Sequence, residues 1–368
     1  MRIYLDHNAT APLRPEVRDA MAAALDLVGN PSSVHAEGRA ARAAVEGARA
    51  AVAVLAGADP AWIAFTSGGT EANNLALAGA GSGRRILASA VEHDSVLQAA
   101  PDGALLPVDR HGVLDLGTLD RVLAATEGPA LVSLMLVNNE TGVIQPVAEA
   151  AAIAHRHGAL LHCDAVQAAG RVPLDLDALG ADLLTLSAHK IGGPKGVGAL
   201  ALRPGLALSP LLRGGGQERR MRAGTENVAG IVGFGRAAEL ALAELDRQHA
   251  VAALRDRLEA ALSARAPGTP LHGAGAPRVA NTSCVGMAGV PSEVQVMAFD
   301  LAGIAVSAGS ACSSGKVKPS HVLAAMGLPA AEAACAVRIS LGPGTTEAEI
   351  DRIVEAWTAL RARRSAAA

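Results

Sequence analysis

The fold is decided by two short runs of sequence, ALLHCDAVQ at residues 159–167 and DLLTLSAHKIGGPKG at residues 182–196. Each run begins with an apolar stretch of strand length and then turns polar, the first at Asp164 and the second at His189 and Lys190. Apolar runs of this length, separated by helical stretches, are typical of a mostly parallel sheet covered on both faces. Ligands of such sheets bind beyond the carboxyl ends of the strands, so the polar ends are candidate site residues.

The same alternation of strands and helices extends along the chain and predicts an α/β fold with a smaller α/β part after the large one. Predicted strands cover Trp62–Thr66, Arg85–Ser89, Ala130–Val137, Ala159–Cys163, Asp182–Ser187, Gly198–Leu202, Asn281–Val285 and Val337–Ser340. Predicted helices cover residues 16–56 with a loop at Gly29–Ser33, then Thr70–Ala80, Val147–His157, one long region Asn227–Ala264, and Thr346–Arg363.

Composition narrows the class of protein. A chain of 368 residues is long enough for two domains, and 50% of it is hydrophobic. No apolar run reaches the roughly 20 residues that a membrane span needs, and the start becomes charged too early for a secretory signal. The net charge of -3 gives no general attraction for nucleic acid. We therefore expect a soluble, cytoplasmic protein that binds neither nucleic acid nor membrane directly.

Lysine is scarce, which makes each one informative. Of 32 Lys plus Arg only four are Lys: Lys190, Lys195, Lys316 and Lys318. A buried lysine can act as the neutral amine that forms a Schiff base, whereas arginine cannot. Lys190 stands at a strand end beside hydroxyl and imidazole donors, which suits pyridoxal phosphate (PLP). A surface lysine in a Gly/Pro loop is the alternative, and Lys195 is the competitor.

Other strand ends carry residues that would complete such a site. Gly69 and Thr70 open a helix, whose N-terminus favours an anion, although Thr70 as a plain N-cap explains them equally well. Asp164 suits the cationic ring nitrogen of PLP, with a helix cap or structural ion pair as the alternative. His93 could stack on the ring and exchange protons, or be a structural histidine. Asn139 could contact the cofactor or a substrate carboxylate, or belong to a turn.

The four cysteines have no CxxC spacing, so neither a metal site nor a disulfide framework is predicted. Cys163, Cys284 and Cys335 lie in apolar or strand-like stretches and are expected in the core. Cys312 differs, because small residues surround it and Lys316 and Lys318 follow, which favours its thiolate.

Taken together, the motifs resemble those of cysteine desulfurases of the NifS/IscS type, within the class V aminotransferase-like PLP enzymes of fold type I. The resemblance runs nearly end to end, and the order of the motifs makes it specific. It rests on Tyr4–Asp6 with Asn8–Thr10, Gly29–Ser33, Thr66–Glu71, Val137–Glu140, Asp164–Gln167, Ser187–Lys190, Arg222–Thr225 and Gly309–Cys312.

The resemblance implies a role for each matching residue. Lys190 is the Schiff-base lysine, Asp164 the partner of the ring nitrogen and Gln167 the donor to the phenolic oxygen. His93 stacks on the ring, and Arg338 clamps the substrate carboxylate with help from Asn139. The implied phosphate-binding residues are Gly69, Thr70, Ser187 and His189, with Thr225 contributed by the other subunit of a homodimer.

Cys312 is the implied nucleophile in a conversion of L-cysteine to L-alanine. The freed Lys190 amine removes the Cα proton, and Cys312 takes the sulfur as a persulfide for an acceptor protein that serves Fe–S clusters, tRNA or another cofactor. His93 is implied to handle a thiol proton. We expect residues 14–250 to form the large PLP-binding domain, and residues 1–13 and 251–368 the small domain with the Cys312 loop.

Some features depart from the family pattern or leave alternatives open. The tail after the last predicted helix is short, and Lys316 and Lys318 are basic where relatives often carry an acidic residue, which leaves the identity of the acceptor open. A selenocysteine lyase or a class V aminotransferase is the nearest alternative function. A dinucleotide fingerprint at Gly233–Ala238 lacks the strand that should precede it. A non-catalytic sulfur-relay scaffold would have no need for the full residue set.

Overall fold

The computed structural model describes residues 2–100, 102–309 and 320–365. The strands are β1 (Ile3–Tyr4), β2 (Ile63–Thr66), β3 (Arg85–Ser89), β4 (Ala104–Leu106), β5 (Ala130–Ser133), β6 (Leu160–Asp164), β7 (Leu183–Ser187), β8 (Gly198–Leu202), β9 (Leu271–His272), β10 (Thr282–Gly286), β11 (Ile304–Ala305), β12 (Ser307–Ala308) and β13 (Ala336–Ser340). The helices are α1 (Pro15–Leu25), α2 (Ala36–Ala56), α3 (Gly69–Leu75), α4 (Asp94–Leu97), α5 (Leu116–Ala124), α6 (Val147–Arg156), α7 (Val228–Ala243), α8 (Gln248–Arg265), α9 (Ser292–Leu301), α10 (His321–Ala325), α11 (Ala330–Ala333) and α12 (Glu347–Ser365).

Seven strands form the large sheet in the order β2-β8-β7-β6-β5-β3-β4. Strand β8 runs antiparallel to both of its neighbours, and all other neighbouring pairs are parallel. Parallel strands end at the same edge, so the polar residues that follow β3, β5, β6 and β7 meet there. The predicted mostly parallel sheet is therefore confirmed, with β8 as its antiparallel exception.

Helix α7 packs against α1 and α2 through glycine. A side chain at Gly235 would come within 2.6 Å of the Cα of Ala48, and one at Gly233 within 2.6 Å of the Met21 side chain. At Gly235 only glycine permits so close an approach, because the atom that a side chain would meet belongs to the Ala48 backbone. The GFGRAA motif is therefore a packing surface inside a helix rather than a nucleotide-binding turn.

The long helix predicted over Asn227–Ala264 is wrong in one respect. Helix α7 ends at Ala243, a 3₁₀ turn covers Leu245–Arg247, and α8 then begins. Tertiary contacts set this break, since Glu244 accepts two hydrogen bonds from Arg14, at 2.8 and 2.6 Å. The Ala/Leu-rich sequence carries no local signal for it.

A second hydrophobic core lies around a four-stranded antiparallel sheet in the order β12-β13-β10-β9. It combines Leu5 from the N-terminus with residues of α8 and α12, including the fully buried Trp357. Strand β1 pairs in parallel with β11, which ties the N-terminus to this part of the molecule. The division at residue 250 stays a prediction. Within the described ranges, no helix has the length and apolarity that crossing a membrane requires.

Candidate active site

A cavity of about 320 Å³ opens at the carboxyl edge of the large sheet, where the second core meets it. Most of the predicted site residues line it, although they come from segments far apart in the chain. They are Gly69, Thr70, His93, Asn139, Asp164, Gln167, Ser187, His189, Lys190 and Arg338.

Lys190 ends a 3₁₀ turn that follows β7 directly. Its ammonium group donates hydrogen bonds to the backbone carbonyls of Asn8 and Ala9, at 2.6 and 2.9 Å. The N-terminal segment therefore holds the amine at the cavity wall. Lys195 does not line this cavity but a neighbouring hollow beside Gly68, so the geometry favours Lys190 over its competitor.

Asp164 is the last residue of β6 and is buried. Its Oδ2 accepts a hydrogen bond from the Asn73 amide at 2.7 Å, and its Oδ1 accepts one from the backbone N–H of Val166 at 2.9 Å. These donors orient the carboxylate in the cavity. A cationic ring nitrogen is the type of partner that a buried carboxylate at this place accepts.

One end of the cavity is built to bind an anion. The Ser187 hydroxyl is buried and has no hydrogen-bond partner among the described residues. Burial, with help from Lys190 and Lys195, lowers the pKa of His189 to about 4, so this imidazole is neutral and has one N–H to donate. At Gly69 a side chain would come within 2.9 Å of Val166. The Nδ1 of His189 lies 3.2 Å from the Thr10 hydroxyl, which orients its ring. The unpaired Ser187 hydroxyl, a neutral imidazole and an approach free of side chains fit a phosphate group, which the residues present could therefore hold.

Gln167 is fixed on both sides. Its Nε2 donates to the carbonyl of Asn8 at 2.9 Å, and its Oε1 contacts the Arg171 guanidinium. Since the amide retains a second N–H, it can donate to a cofactor oxygen in the cavity.

His93 caps the short helix α4. Its Nδ1 accepts a hydrogen bond from the backbone N–H of Ser95 at 3.1 Å and lies 2.8 Å from the Ser95 hydroxyl. The hydroxyl in turn accepts from Asn73, the residue that also binds Asp164. A single buried amide therefore links the predicted ring-stacking histidine to the predicted ring-nitrogen partner.

Arg338 lies in β13 with its side chain only 3% exposed. One terminal nitrogen pairs with Asp6 at 2.8 Å, and the other donates to the carbonyl of Asn139 at 3.0 Å. Its Nε has no partner among the described residues, so the guanidinium retains a donor for an incoming carboxylate.

One predicted residue is not brought to the cavity, and another lies outside the described residues. Thr225 is exposed and does not line it within this chain. Cys312 lies outside the described residues, as do Lys316 and Lys318. Cys163, Cys284 and Cys335 are buried free thiols, and burial raises the pKa of Cys163 and of Cys284. Buried thiols of raised pKa are poor nucleophiles.

Sequence reasoning missed several residues that shape the site, because their roles come from long-range packing. Asn73 and Ser95 connect two site residues, and Glu140 and His321 line the cavity. Asn8 and Glu140 lie within motifs that carry the family resemblance and Glu92 precedes His93, but no local pattern indicated the contacts of these residues. The missed residues are Asn8, Asn73, Glu92, Ser95, Glu140 and His321.

Comparison with known proteins gives a consistent result. The model of the aminotransferase class-V family matches residues 3–353. A cysteine desulfurase of Cereibacter sphaeroides is 50% identical over 368 residues, spanning 96% of this chain and 94% of that protein. The cysteine desulfurase IscS of Dictyoglomus turgidum is 43% identical over 363 residues, spanning 95% of this chain and 92% of that protein.

A solved structure agrees with these sequence matches. The X-ray structure of a NifS-like protein from Rickettsia africae superposes with a TM-score of 0.91 at 36% identity. The superposition covers 97% of this chain and 98% of the other. The predicted PLP-enzyme fold of type I is thereby confirmed.

Proposed function

We propose that this chain, which belongs to the class V aminotransferase family and is a PLP-dependent cysteine desulfurase, converts L-cysteine to L-alanine in the cavity lined by Lys190. In this proposal the sulfur passes to Cys312. One observation carries the proposal. Three charged groups line the same cavity: the ammonium group of Lys190, the buried carboxylate of Asp164 and the buried guanidinium of Arg338. Each comes from a different strand, since Lys190 follows β7, Asp164 ends β6 and Arg338 lies in β13.

The cofactor would be held by side chains with matching chemistry. Lys190 binds it covalently, Asp164 pairs with the ring nitrogen and Gln167 donates to the phenolic oxygen. When bound, PLP withdraws electrons from the substrate Cα and so acidifies its proton. The phosphate is held by the donors at the anion-binding end, which are Gly69, Thr70, Ser187 and His189.

The substrate is oriented by its carboxylate. Arg338 has an unused Nε donor and is already fixed by Asp6 and Asn139, so binding immobilises few additional groups. With the carboxylate held there, the Lys190 amine removes the Cα proton. His93, whose Nδ1 is engaged by Ser95, presents its other nitrogen as a hydrogen-bond donor.

Cys312 is the nucleophile in this proposal. The other three thiols are buried in the core. Its thiolate forms an S–S bond with the substrate sulfur as the Cβ–S bond breaks. The persulfide then passes its sulfur to an acceptor protein for Fe–S clusters or another sulfur-containing product.

The test measures L-alanine release and persulfide formation from L-cysteine. Cys312→Ala should lower alanine release on the order of a hundredfold or more and abolish the persulfide. Cys335→Ala, which removes a buried thiol, should leave both unchanged. Wild-type alanine release by Cys312→Ala would refute the role of Cys312.

We also propose that the enzyme is a homodimer in which Thr225 completes the partner's phosphate site. Thr225 is exposed and does not line the cavity of its own chain, and apolar side chains are exposed nearby at Leu211 and Leu212. Thr225→Ala should weaken PLP binding by about tenfold, the value of one hydrogen bond to a charged group.

Mixed dimers test whether Thr225 acts across the interface. Dimers of one Lys190→Ala chain and one Thr225→Ala chain contain a site with Lys190 from one chain and an intact Thr225 from the other. We expect that site to bind PLP with wild-type affinity. If mixing restores nothing, Thr225 acts within its own chain or not at all.

A further inference from the structure

A second histidine, His321, lines the same cavity as His93. It is the first residue of α10, and the preceding Ser320 caps that helix by accepting a hydrogen bond from Leu323 N–H at 3.0 Å. The Ser320 hydroxyl donates to the buried carboxyl of Glu140 at 2.6 Å. These two hydrogen bonds of Ser320 fix the start of α10, and with it the position of His321 at the cavity wall.

The hydrogen bonds of His321 define its tautomer. Its Nε2 lies 2.8 Å from the backbone carbonyl of Glu92. A carbonyl oxygen only accepts, so Nε2 carries the hydrogen and Nδ1 of the neutral ring has a lone pair. Imidazole with this arrangement is a proton acceptor.

His93 has the opposite arrangement. Its Nδ1 accepts the backbone N–H of Ser95, so in the neutral ring the hydrogen is on Nε2. The two histidines of one cavity thus differ in chemistry: His93 offers a donor and His321 an acceptor. In the proposed function the Lys190 amine accepts the Cα proton, so a different group has to accept the thiol proton.

Acidic side chains share the cavity with His321. Carboxyl groups of Glu140 and Asp94 line the same cavity. Burial raises the pKa of Glu140, and the hydrogen bond from Ser320 opposes that rise. The other titratable and charged groups that line the cavity are His93, Asp94, Glu140, Asp164, His189, Lys190 and Arg338, and the backbone carbonyl of Glu92 contacts the His321 ring.

Resting on the proposed function, we propose that Nδ1 of His321 accepts the thiol proton of the bound L-cysteine during sulfur transfer. An enzyme thiolate forms the S–S bond, the Cβ–S bond breaks with its electron pair on the substrate, and the proton that the substrate sulfur carried moves to Nδ1. Imidazolium then returns this proton to solvent. His321 lines the cavity of the proposed site, so in this proposal it contacts the reacting thiol directly.

The test uses His321→Gln in the PLP-loaded enzyme. The glutamine Nε2 can still donate to the Glu92 carbonyl, but an amide has no basic nitrogen. We expect wild-type PLP binding and a wild-type rate of Cα–H exchange of L-cysteine in D₂O. Alanine release should fall by about a hundredfold, the lower range for loss of a general base.

Three further measurements make the outcome decisive. His249→Gln, at an exposed position, should behave as wild type. If His321→Gln releases alanine within twofold of wild type, or loses Cα–H exchange as well, the proposal is overturned.

Should the glutamine variant not fold, His321→Ala is assayed with added imidazole. Rescue of alanine release supports the proposal, and its absence overturns it. A wild-type enzyme that exchanges Cα–H but releases no alanine would instead refute the proposed function.

Discussion

At the scale of single residues, Glu92 places a buried carboxyl group beneath the cavity. Its carboxyl group is fully buried, and burial, with a smaller effect from Asp164, raises its pKa to about 8. One oxygen accepts the backbone N–H of Met135, and the other has no partner among the described residues. The folded protein therefore keeps Glu92 protonated at neutral pH.

This protonation makes stability pH-dependent. The unfolded chain loses the Glu92 proton near the ordinary pKa of 4.5, whereas the folded chain keeps it to about 8. Between these values the folded state binds more protons, so rising pH lowers the free energy of unfolding. Glu92→Gln removes the effect and should gain stability over wild type progressively from about pH 5 to pH 8, with no further gain above.

Urea denaturation of the PLP-loaded enzyme at several pH values checks this prediction. Glu239→Gln, which alters an exposed pair with Arg236, is the matched control and should show no such trend. A stability difference for Glu92→Gln that stays constant with pH would contradict the assigned pKa.

Sequence predicted the residues that follow strands and missed those that approach from elsewhere. Lys190, Asp164 and Ser187 were found because the carboxyl edge of a parallel sheet is a known ligand site. Asn73 sits inside α3, where no local pattern indicates that its amide reaches the site. Asn8 belongs to a recognised motif, but that motif does not indicate the contact of its carbonyl with Lys190. Only packing between distant segments shows it.

At the scale of elements, β8 supports the loop that opens the phosphate site. A side chain at Gly198 would come within 2.5 Å of the carbonyl carbon of Gly68 and 2.8 Å of the carbonyl oxygen of Leu186. Backbone atoms cannot move aside as a flexible side chain does. The Gly68–Gly69 turn therefore lies directly against β8.

Gly198→Ala should displace this turn and weaken PLP binding by tenfold or more, with a loss of about 1–3 kcal/mol in unfolding free energy from overpacking. Gly47→Ala is the matched control, since nothing lies within 4 Å of its added methyl group. It should stabilise α2 by up to about 1 kcal/mol. Titration with PLP and urea denaturation measure both effects. Unchanged PLP affinity in Gly198→Ala would contradict this role of β8.

Element boundaries were predictable where turn residues and strand composition agree. Strands β3 and β8 match their predicted bounds. The break after α7 was not predictable because Glu244 and Arg14 are brought together by folding. The short strands β1 and β11 were also missed, since two-residue strands are defined by their partner rather than by their sequence.

At the scale of the whole molecule, two separate cores flank the cavity. The first core includes the large sheet, and the second combines Leu5 with α8, β13 and α12. The two tryptophans report on different regions: Trp357 is buried in the second core, and Trp62 packs beside the large sheet. The cavity draws Asp164 from the large sheet and Arg338 from the small one.

Single-tryptophan variants test the predicted division into two domains. In Trp357→Phe the fluorescence of Trp62 reports the large domain, and in Trp62→Phe that of Trp357 reports the small one. We expect two different urea midpoints, and removal of PLP should lower mainly the Trp62 midpoint because most cofactor-binding residues belong to the large sheet. Coincident midpoints that shift together would indicate one cooperative unit.

The central claim is that Lys190 holds PLP covalently in this cavity. Borohydride reduction of the PLP-loaded enzyme fixes the cofactor to its lysine, and peptide mass spectrometry then identifies which of the four lysines carries it. The account predicts the phosphopyridoxyl group on Lys190 alone. A label on Lys195, Lys316 or Lys318, or reduction without any labelled lysine, would contradict it.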